Sequence, residues 1–545
     1  MAGFSQHFAS IRNRVERLAM LAEPARSVEE ICRSAEARGG LELEDVALLL
    51  AWGRDPVRRE YIHAASRHLR DTIGPRTVDI IIPEYLTSFC QNDCLYCGYR
   101  QSNALAERVR LRPDHYEREL DLILSWGYRQ IELVLADDPD FPADQVAQYV
   151  SLTGRKLAER GGGLVALNAP PYEEADYRRL RSAGLDWVAL WQETYDQPHF
   201  ERWHLEGSPK RQYEFRLDVW DRAIAAGFTR VGLGVLFGLY DWRFDVLALV
   251  EHANYLQRTY GIAPHVIGIP RLKPARGVLA SQKPSHFSVS DEDYRLAVSV
   301  YHLAVPQARL FFNTREPYEF NLSMVTRGDL FTVDCETLPG AYLRGRLPGQ
   351  FATHSYPSRR EVTAEFTRQG YAWRFLERED AAPPAGLPAA SGEGFTLQRL
   401  ERCACEHREI RAKLDEWESF LETLHTTSAH LRWVVAGRLR ERLRFFDTDY
   451  MEHCREEENL LRAALVGNPE GEKRLDALRS EHEHFAIDLD RFQRQITSYE
   501  QSGNPTALLM LGGRMVSELR EHLDAEDRWF AHWLERGSAP PLPVD

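Results

Sequence analysis

Three cysteines in the stretch Ser88-Phe89-Cys90-Gln91-Asn92-Asp93-Cys94-Leu95-Tyr96-Cys97-Gly98-Tyr99-Arg100 have the types and spacing to do chemistry. Three residues separate the first two and two separate the next pair. A tight loop with this spacing presents three thiolates to one point. Three thiolates hold three irons of a [4Fe–4S] cluster and leave the fourth iron open to a small molecule. Tyr96, just before the last cysteine, is suited to stacking on an adenine. The alternative is a zinc knuckle, but zinc wants a fourth His or Cys ligand. The nearest in sequence, His68 and His115, stand at no usual knuckle spacing.

A second set of donors lies near the C-terminus: His407, His453 with Glu457, His482 within Glu481-His482-Glu483-His484, and His522 with Glu526. His453 and Glu457 are four apart and share a helical face, as do His522 and Glu526; Asp527 is an alternative carboxylate. One His or His/carboxylate pair per helix, all turned inward, makes a metal cage, and mixed imidazole and carboxylate donors suit a di-iron centre. The plainer alternative is exposed His on charged helices.

These residues must be positioned by folded elements. The chain has 545 residues, 43% of them hydrophobic, enough for roughly two to four domains. No apolar run approaches a membrane span, and the N-terminus lacks the apolar core of a signal peptide. A net charge of −14 argues against a nucleic-acid backbone partner. Eight cysteines are too few for a disulfide scaffold. A reducing cytoplasm is the expected compartment.

Residues 1–75 read as helical, with a capping box at Ser27-Val28-Glu29-Glu30. From 76 to 376 short apolar runs (78–82, 131–135, 164–167, 187–191, 231–235, 266–269 and 310–312) alternate with amphipathic segments such as 115–126, 144–160 and 212–226. That alternation predicts an α/β fold, a parallel (β/α) barrel with chemistry at the strands' C-terminal ends. The Ala-, Pro- and Gly-rich segment 377–395 reads as a linker. Helices at roughly 398–425, 428–465, 471–499 and 504–536, with turns at 468–471 and 502–505, predict an all-α four-helix bundle over 396–537. The tail 538–545 reads as disordered.

The cysteine loop resembles that of the radical S-adenosylmethionine (SAM) enzymes. Residues 27 to about 371 further resemble the aromatic amino acid lyases of that group, above all the tyrosine lyase of [FeFe]-hydrogenase maturation and more distantly that of anaerobic thiamine biosynthesis. The motifs are Cys94-Leu95-Tyr96-Cys97-Gly98-Tyr99-Arg100, Gln192-Glu193-Thr194-Tyr195, Gly232-Leu233-Gly234-Val235-Leu236-Phe237-Gly238-Leu239-Tyr240-Asp241-Trp242-Arg243-Phe244, Pro264-His265, Pro270-Arg271-Leu272 and Thr314-Arg315-Glu316. The resemblance implies a TIM-type barrel and a 5′-deoxyadenosyl radical that takes a hydrogen from the amine of tyrosine. The side chain then leaves as p-cresol and the remainder as dehydroglycine. It also implies a reducing electron donor such as flavodoxin or ferredoxin.

Carried over residue by residue, the resemblance assigns Glu193 to the ribose hydroxyls or ammonium of SAM and Arg216 to its carboxylate. Gly232, Gly234 and Gly238 would admit the cofactor to the backbone. Asp137 stands where relatives carry a Gly-Glu pair. Arg315 would take the substrate carboxylate, with Thr332 supplying a hydroxyl; His265 and Arg271 are second-tier candidates. The loop from Thr332 to Tyr342 is bulkier and more acidic than in relatives, which keeps tryptophan open as the substrate. The maturase's C-terminal cysteine motif is missing, and Cys403 and Cys405 lack a third partner, so no auxiliary cluster is expected.

The last region resembles the hemerythrin-like (HHE cation-binding) domains. Hemerythrins proper carry two histidines four apart on the third helix; Ala486 occupies that position after His482, which implies a weaker second iron. The bundle would respond to oxygen or nitric oxide, scavenge oxygen, or supply iron. A different class of reading is an oxygen- or iron-sensing binding protein with an inactive barrel.

Overall fold

A computed structural model describes residues 3–21, 26–73, 77–281, 285–344, 349–354, 356–375, 397–424, 432–446, 450–465 and 469–536. The chain divides into two compact units, residues 1–383 and 384–545. The expected linker and the tail 538–545 lie outside the described residues. Among the described residues no helix is long and apolar enough to cross a membrane.

The first unit opens with four helices, Phe4–Ala19, Val28–Arg38, Leu43–Trp52 and Pro56–Ile73. Ser27 and Glu30 form the capping box, each bonding the other's backbone amide. Cys32 is a buried core thiol.

Ten strands follow: β1 (Thr77–Ile80), β2 (Ile82–Thr87), β3 (Gln130–Leu135), β4 (Leu164–Asn168), β5 (Trp187–Glu193), β6 (Val231–Val235), β7 (Val266–Gly268), β8 (Arg309–Phe312), β9 (Leu330–Phe331) and β10 (Ala372–Arg374). Every pairing is parallel, in the order β10-β1-β9-β8-β7-β6-β5-β4-β3-β2. Only Ile81 separates β1 from β2. β1 pairs with β9 and β10 while β2 pairs with β3, so the ends of the row meet on one extended run, 77–87. The inside is filled by Ile81, Ala166, Trp187, Ala189, Val266, Phe311 and Leu330.

The expected runs all appear as strands, and two strands were not anticipated. β9 has two residues, and β10 has three that are exposed or half-buried; neither is long enough to show a period. The segment 212–226 is not one helix but two, Tyr213–Leu217 and Val219–Ala225, broken at Asp218.

In the second unit the helices are Leu397–Thr423, Arg432–Phe445, Met451–Leu465, Pro469–Ser502 and Thr506–Arg536. The second expected helix is therefore two segments. Pro469 and Gly471, expected in a turn, belong to the first turn of a 34-residue helix, where proline's missing amide costs nothing. The core forms around Trp417, whose ring meets Phe446 and Phe492.

Asp329 anchors the short β9. It is fully buried and accepts from Arg70 (3.3 Å) and the amides of Leu310 (3.1 Å) and Thr326 (2.8 Å), with His302 Nε2 at 3.1 Å. Burial opposes its ionisation, but His302 and Arg70 outweigh it and hold the carboxyl below its usual range. A depressed carboxyl stabilises the fold above its unfolded pKa and ceases to as pH falls. Asp329→Asn is expected to cost about 3 kcal/mol at neutral pH, read as a lower denaturant midpoint. The gap to wild type is expected to narrow below about pH 4.

Candidate functional site

The cysteine loop leaves the C-terminal end of β2 and is pinned on every side. Gln91 N donates to Asp137 O (2.8 Å), Leu95 N to Trp203 O (3.0 Å) and Gly98 N to Gln350 O (3.0 Å). Gly98 is required there, since a Cβ would stand 2.4 Å from the Gln350 carbonyl. Cys90, Cys94 and Cys97 all open on one cavity of about 310 Å³. The sulfurs accept weak bonds: Cys90 from Asn92 Nδ2 (3.8 Å), Cys97 from Tyr99 N (3.4 Å) and Gln350 Nε2 (3.5 Å). Such bonds are a means of setting a cluster's potential. Burial pushes the Cys94 thiol up to about 12 and raises that of Cys90, so iron binding must displace protons. Three sulfurs converging on a cavity fit a three-thiolate cluster.

Glu193 ends β5 with φ +76°, the one non-glycine positive φ among the described residues. Such a conformation costs of order 1 kcal/mol and is held by its surroundings. Its carboxylate accepts from Lys210 Nζ (2.6 Å), with Arg216 Nη2 at 3.6 Å. Burial raises the Glu193 carboxyl, but the two cations outweigh it and the net shift is downward. Arg216 also donates to the Trp191 carbonyl, and its Nε has no partner among the described residues. Asp137 lines the cavity too, but both its oxygens are engaged, by Gln91 Nε2 (3.0 Å) and Asn92 Nδ2 (2.6 Å). The Tyr96 ring lines the cavity below Lys210, and its hydroxyl meets His204 Nε2 at 2.9 Å.

Arg315 and Thr332 face the same cavity from the ends of β8 and β9. The Arg315 guanidinium lies 3.4 Å from the Phe351 ring centroid and pairs with no carboxylate among the described residues. The alternative partner, Glu316, is taken by Arg271 Nε (2.9 Å) and Lys273 Nζ (2.9 Å). Burial, the largest influence, lowers the pKa of Arg315. Thr332 is fully buried, and its hydroxyl has no partner among the described residues.

Five of the expected residues stand outside the cavity lining. Gly232 and Gly234 do not line the cavity. A Cβ on Gly234 would stand 2.2 Å from the Trp191 ring and 2.5 Å from the Gly268 carbonyl, so this glycine makes room for an indole. Gly238, with φ +112°, stands against Leu272 and likewise lies outside the lining. Arg271 serves the ion pair with Glu316 and Asp291. His265 sits edge-on to Trp187, outside the lining. Sequence reasoning also missed Tyr85, Glu132, Asn168, Lys210, Cys335 and Gln350, all of which line the cavity. Lys210 alone carried a signal, a cation shortly after Glu193.

The bundle brings all six expected donors together. His407, His453, Glu457 and Glu526 form one group, and His482, His522 and the same two carboxylates form a second, with ligand atoms within 4.8 Å of one another in each. His407 Nε2 faces His453 Nε2 at 3.0 Å, and His482 Nε2 faces His522 Nε2 at 3.1 Å. Each Nδ1 is spoken for: His407 donates to Asp527 (2.6 Å), His453 to Glu406 (2.8 Å), His482 to Glu458 (2.9 Å) and His522 to Glu481 (2.7 Å). A carboxylate on Nδ1 fixes the proton there and leaves Nε2 as a lone pair. The four Nε2 atoms therefore turn toward Glu457 and Glu526. His522 Nε2 lies 3.0 Å from Glu526 Oε1; burial lowers the His522 imidazolium pKa, but that carboxylate with Glu481 outweighs it and holds the pKa up, at about 9. Burial and the neighbouring Glu526 raise the Glu457 carboxyl. This donor set fits cations, and each group offers two histidines beside the same two carboxylates. His484 is exposed and bonds the Ser480 carbonyl (2.6 Å). Cys403 is buried beside Glu406 and His453.

Comparison with known proteins agrees with both halves. Residues 85–249 match the Radical SAM superfamily, and residues 400–534 match the hemerythrin HHE cation binding domain. The chain is 30% identical to the 2-iminoacetate synthase of Escherichia coli (strain K12) over 358 residues, covering 65% of this chain and 91% of the synthase. HydG, a maturase of the [FeFe]-hydrogenase, superposes with a TM-score of 0.63 at 30% identity, covering 68% of this chain and 80% of that structure. HydG from Carboxydothermus hydrogenoformans, at 23% identity and a TM-score of 0.61, shares the fold. These matches imply a [4Fe–4S] cluster and SAM in the barrel and non-haem iron in the bundle. The chain belongs to the radical SAM lyase family of 2-iminoacetate synthase and HydG, extended by a C-terminal hemerythrin-type domain.

Proposed function

We propose that the barrel cleaves the side chain of tyrosine or a similar aromatic amino acid from its glycine part, and that the bundle holds two irons. The observation that carries the first reading is Arg315, a half-buried cation without a carboxylate partner among the described residues, opening on the cavity that Cys90, Cys94 and Cys97 share. A charge of that kind calls for an anionic ligand. When bound, the cluster and SAM supply a 5′-deoxyadenosyl radical that takes a hydrogen atom from the substrate amine.

The protein's own residues position and shield. Arg315 takes the amino-acid carboxylate in a two-pronged grip, and the Thr332 hydroxyl donates beside it. Arg216 holds the carboxylate of SAM, and Glu193 accepts from its ribose hydroxyls or ammonium. Asp137 holds the cysteine loop through Gln91 and Asn92 and adds negative charge facing the ammonium. The Tyr96 ring lies against the adenine. Phe311, Leu135 and Phe351 give the cavity apolar walls that keep water from the fragmenting side chain. For tyrosine the products are p-cresol and dehydroglycine. A flavodoxin- or ferredoxin-type donor delivers the electron.

In the bundle, His407 and His453 hold one iron, and His482 and His522 the other, with Glu457 and Glu526 shared. The centre responds to oxygen or to iron supply.

The test is anaerobic. Reconstituted protein receives reductant, SAM and either tyrosine or tryptophan, and mass spectrometry follows 5′-deoxyadenosine, p-cresol and 3-methylindole or its acid. Deoxyadenosine with p-cresol is the expected result. Deoxyadenosine with the indole product moves the substrate to tryptophan. No deoxyadenosine from a cluster-loaded protein overturns the lyase reading and favours a sensing role. Arg315→Leu is expected to lower kcat/KM for the amino acid by about 10–100-fold. In the bundle, Glu457→Ala is expected to remove most of the iron, measured by metal analysis. Glu406→Gln, which releases the Nδ1 of His453, is expected to weaken iron affinity by about 10-fold or more.

A further inference from the structure

Along β3, Ile131 and Leu133 pack into the core between sheet and helices, so Glu132 and Val134 face the cavity. The register sets Glu132 opposite Pro83 of β2 and Ala166 of β4. Ala166 belongs to the apolar layer that fills the barrel, so Glu132 stands at the level of the cavity floor. Arg315 lies three residues past the end of β8, at the mouth, on the same side of the strand ends as the cysteine loop. An acid at the floor and a guanidinium at the mouth thus share one cavity at different depths.

The other charges that line it are engaged. Glu193 holds Lys210, Asp137 holds Gln91 and Asn92, and Lys273 holds Glu316. Glu132 has one bond among the described residues, from Asn168 Nδ2 at 3.2 Å. Burial pushes its carboxyl up to about 7, with the Asn168 bond pulling the other way. A carboxyl in an apolar floor with a single neutral partner is costly unless a ligand satisfies it. Val134, Trp191 and Phe311, which line the cavity with it, are apolar.

We propose that Glu132, steadied by Asn168, is the specificity-determining group that accepts a hydrogen bond from the far end of the substrate's side chain, a phenol O–H or an indole N–H. The inference rests on reading the cavity as an aromatic amino acid site. Apolar walls accept phenylalanine and tyrosine alike. A site built to bond a donor rejects the analogue that lacks it by far more than a methylene's worth.

The experiment uses the full chain, reconstituted anaerobically and loaded with SAM, with tyrosine, tryptophan and phenylalanine as probes. Two readouts are taken: kcat/KM from deoxyadenosine release, and equilibrium affinity for each amino acid. Wild type is expected to favour tyrosine or tryptophan over phenylalanine by at least about 100-fold, and which of the two leads identifies the phenol or the indole. Glu132→Leu is expected to cut that ratio to about 10-fold or less, and Glu132→Gln, which keeps a carbonyl acceptor, to an intermediate value. If Glu132→Leu does not fold, as judged by circular dichroism, the Gln variant decides. A merely structural role lowers all three substrates together and leaves the ratio intact; that outcome overturns the proposal, as does a wild type without preference. If no amino acid is cleaved, the lyase reading fails, and the affinity ratio still decides the role of Glu132. No measurable binding of any of the three overturns both.

Discussion

The barrel depends on one run of chain, 77–87. Its first half bonds β9 and β10 and its second half bonds β3, so a single extended segment joins what would otherwise be the two ends of an open parallel sheet. That closure fixes the geometry of the site and leaves the short β10 beside β1 with a single pairing. The same run delivers the cysteine loop from its C-terminal end and turns Pro83 and Tyr85 toward the cavity. Its alternate residues face outward, and there Glu84 is buried against Glu119 with burial pushing both carboxyls up. Glu119 in turn accepts from Leu343 N (3.2 Å), and Tyr342 donates to the Pro83 carbonyl (2.6 Å). Through these contacts the strand that closes the sheet also anchors the segment following Cys335, whose thiol lines the cavity.

Within that frame the chemistry follows from which buried charges are paired. Glu193, Lys210 and Arg216 form a cluster with one positive charge in excess, held by a strained backbone. Such a cluster is rigid and ready to bond a ligand carrying both charges, as SAM does. Arg315 is different, because among the described residues its guanidinium meets a ring face and no carboxylate. Cation–π contact offsets a small part of the cost of burying a guanidinium, and the remainder is an energetic demand for an anion. The barrel therefore sets a charge cluster organised around Glu193 apart from Arg315, whose charge meets no carboxylate among the described residues.

The fold was legible where burial left a period. The seven predicted strands are apolar runs buried along most of their length, and among the four N-terminal helices Val28–Arg38 carries its capping box in the sequence. What escaped was short: β9 and β10 owe their existence to neighbours already in place, Asp329 and the 77–87 run, and not to their own residues. The break at Asp218 divides a segment whose periodicity continues across it. The site was legible where motifs carried it, as with Cys90, Cys94, Cys97, Glu193, Arg216 and Arg315. Gly232 and Gly234 were misread because a glycine in a sequence reports that space is needed but not what fills it; here Trp187, Trp191 and Ala189 crowd them. Glu132 left no signal, since a carboxylate in an apolar strand has the same spelling whether it faces a helix or a cavity.

The bundle shows why counting histidines on one helix is a poor guide to its metal capacity. Its donors repeat: Glu406-His407 with His453-x3-Glu457-Glu458, then Glu481-His482 with His522-x3-Glu526-Asp527. The outer bonds repeat too, since His407 uses the residue after Glu526 and His482 the residue after Glu457, while His453 and His522 each use the glutamate that precedes the other histidine of their own group. Two halves of one pattern thus meet across a shared pair of carboxylates. Where Ala486 stands in place of a second histidine on that helix, the fourth imidazole, His522, comes from another helix. Each ring is oriented by a carboxylate on a neighbouring helix, so the cage is set by helix packing around Trp417 and by four outer bonds before any cation enters. A site fixed in this way exchanges protons for a cation with its donors already in place, and it pays little to reorganise when it does.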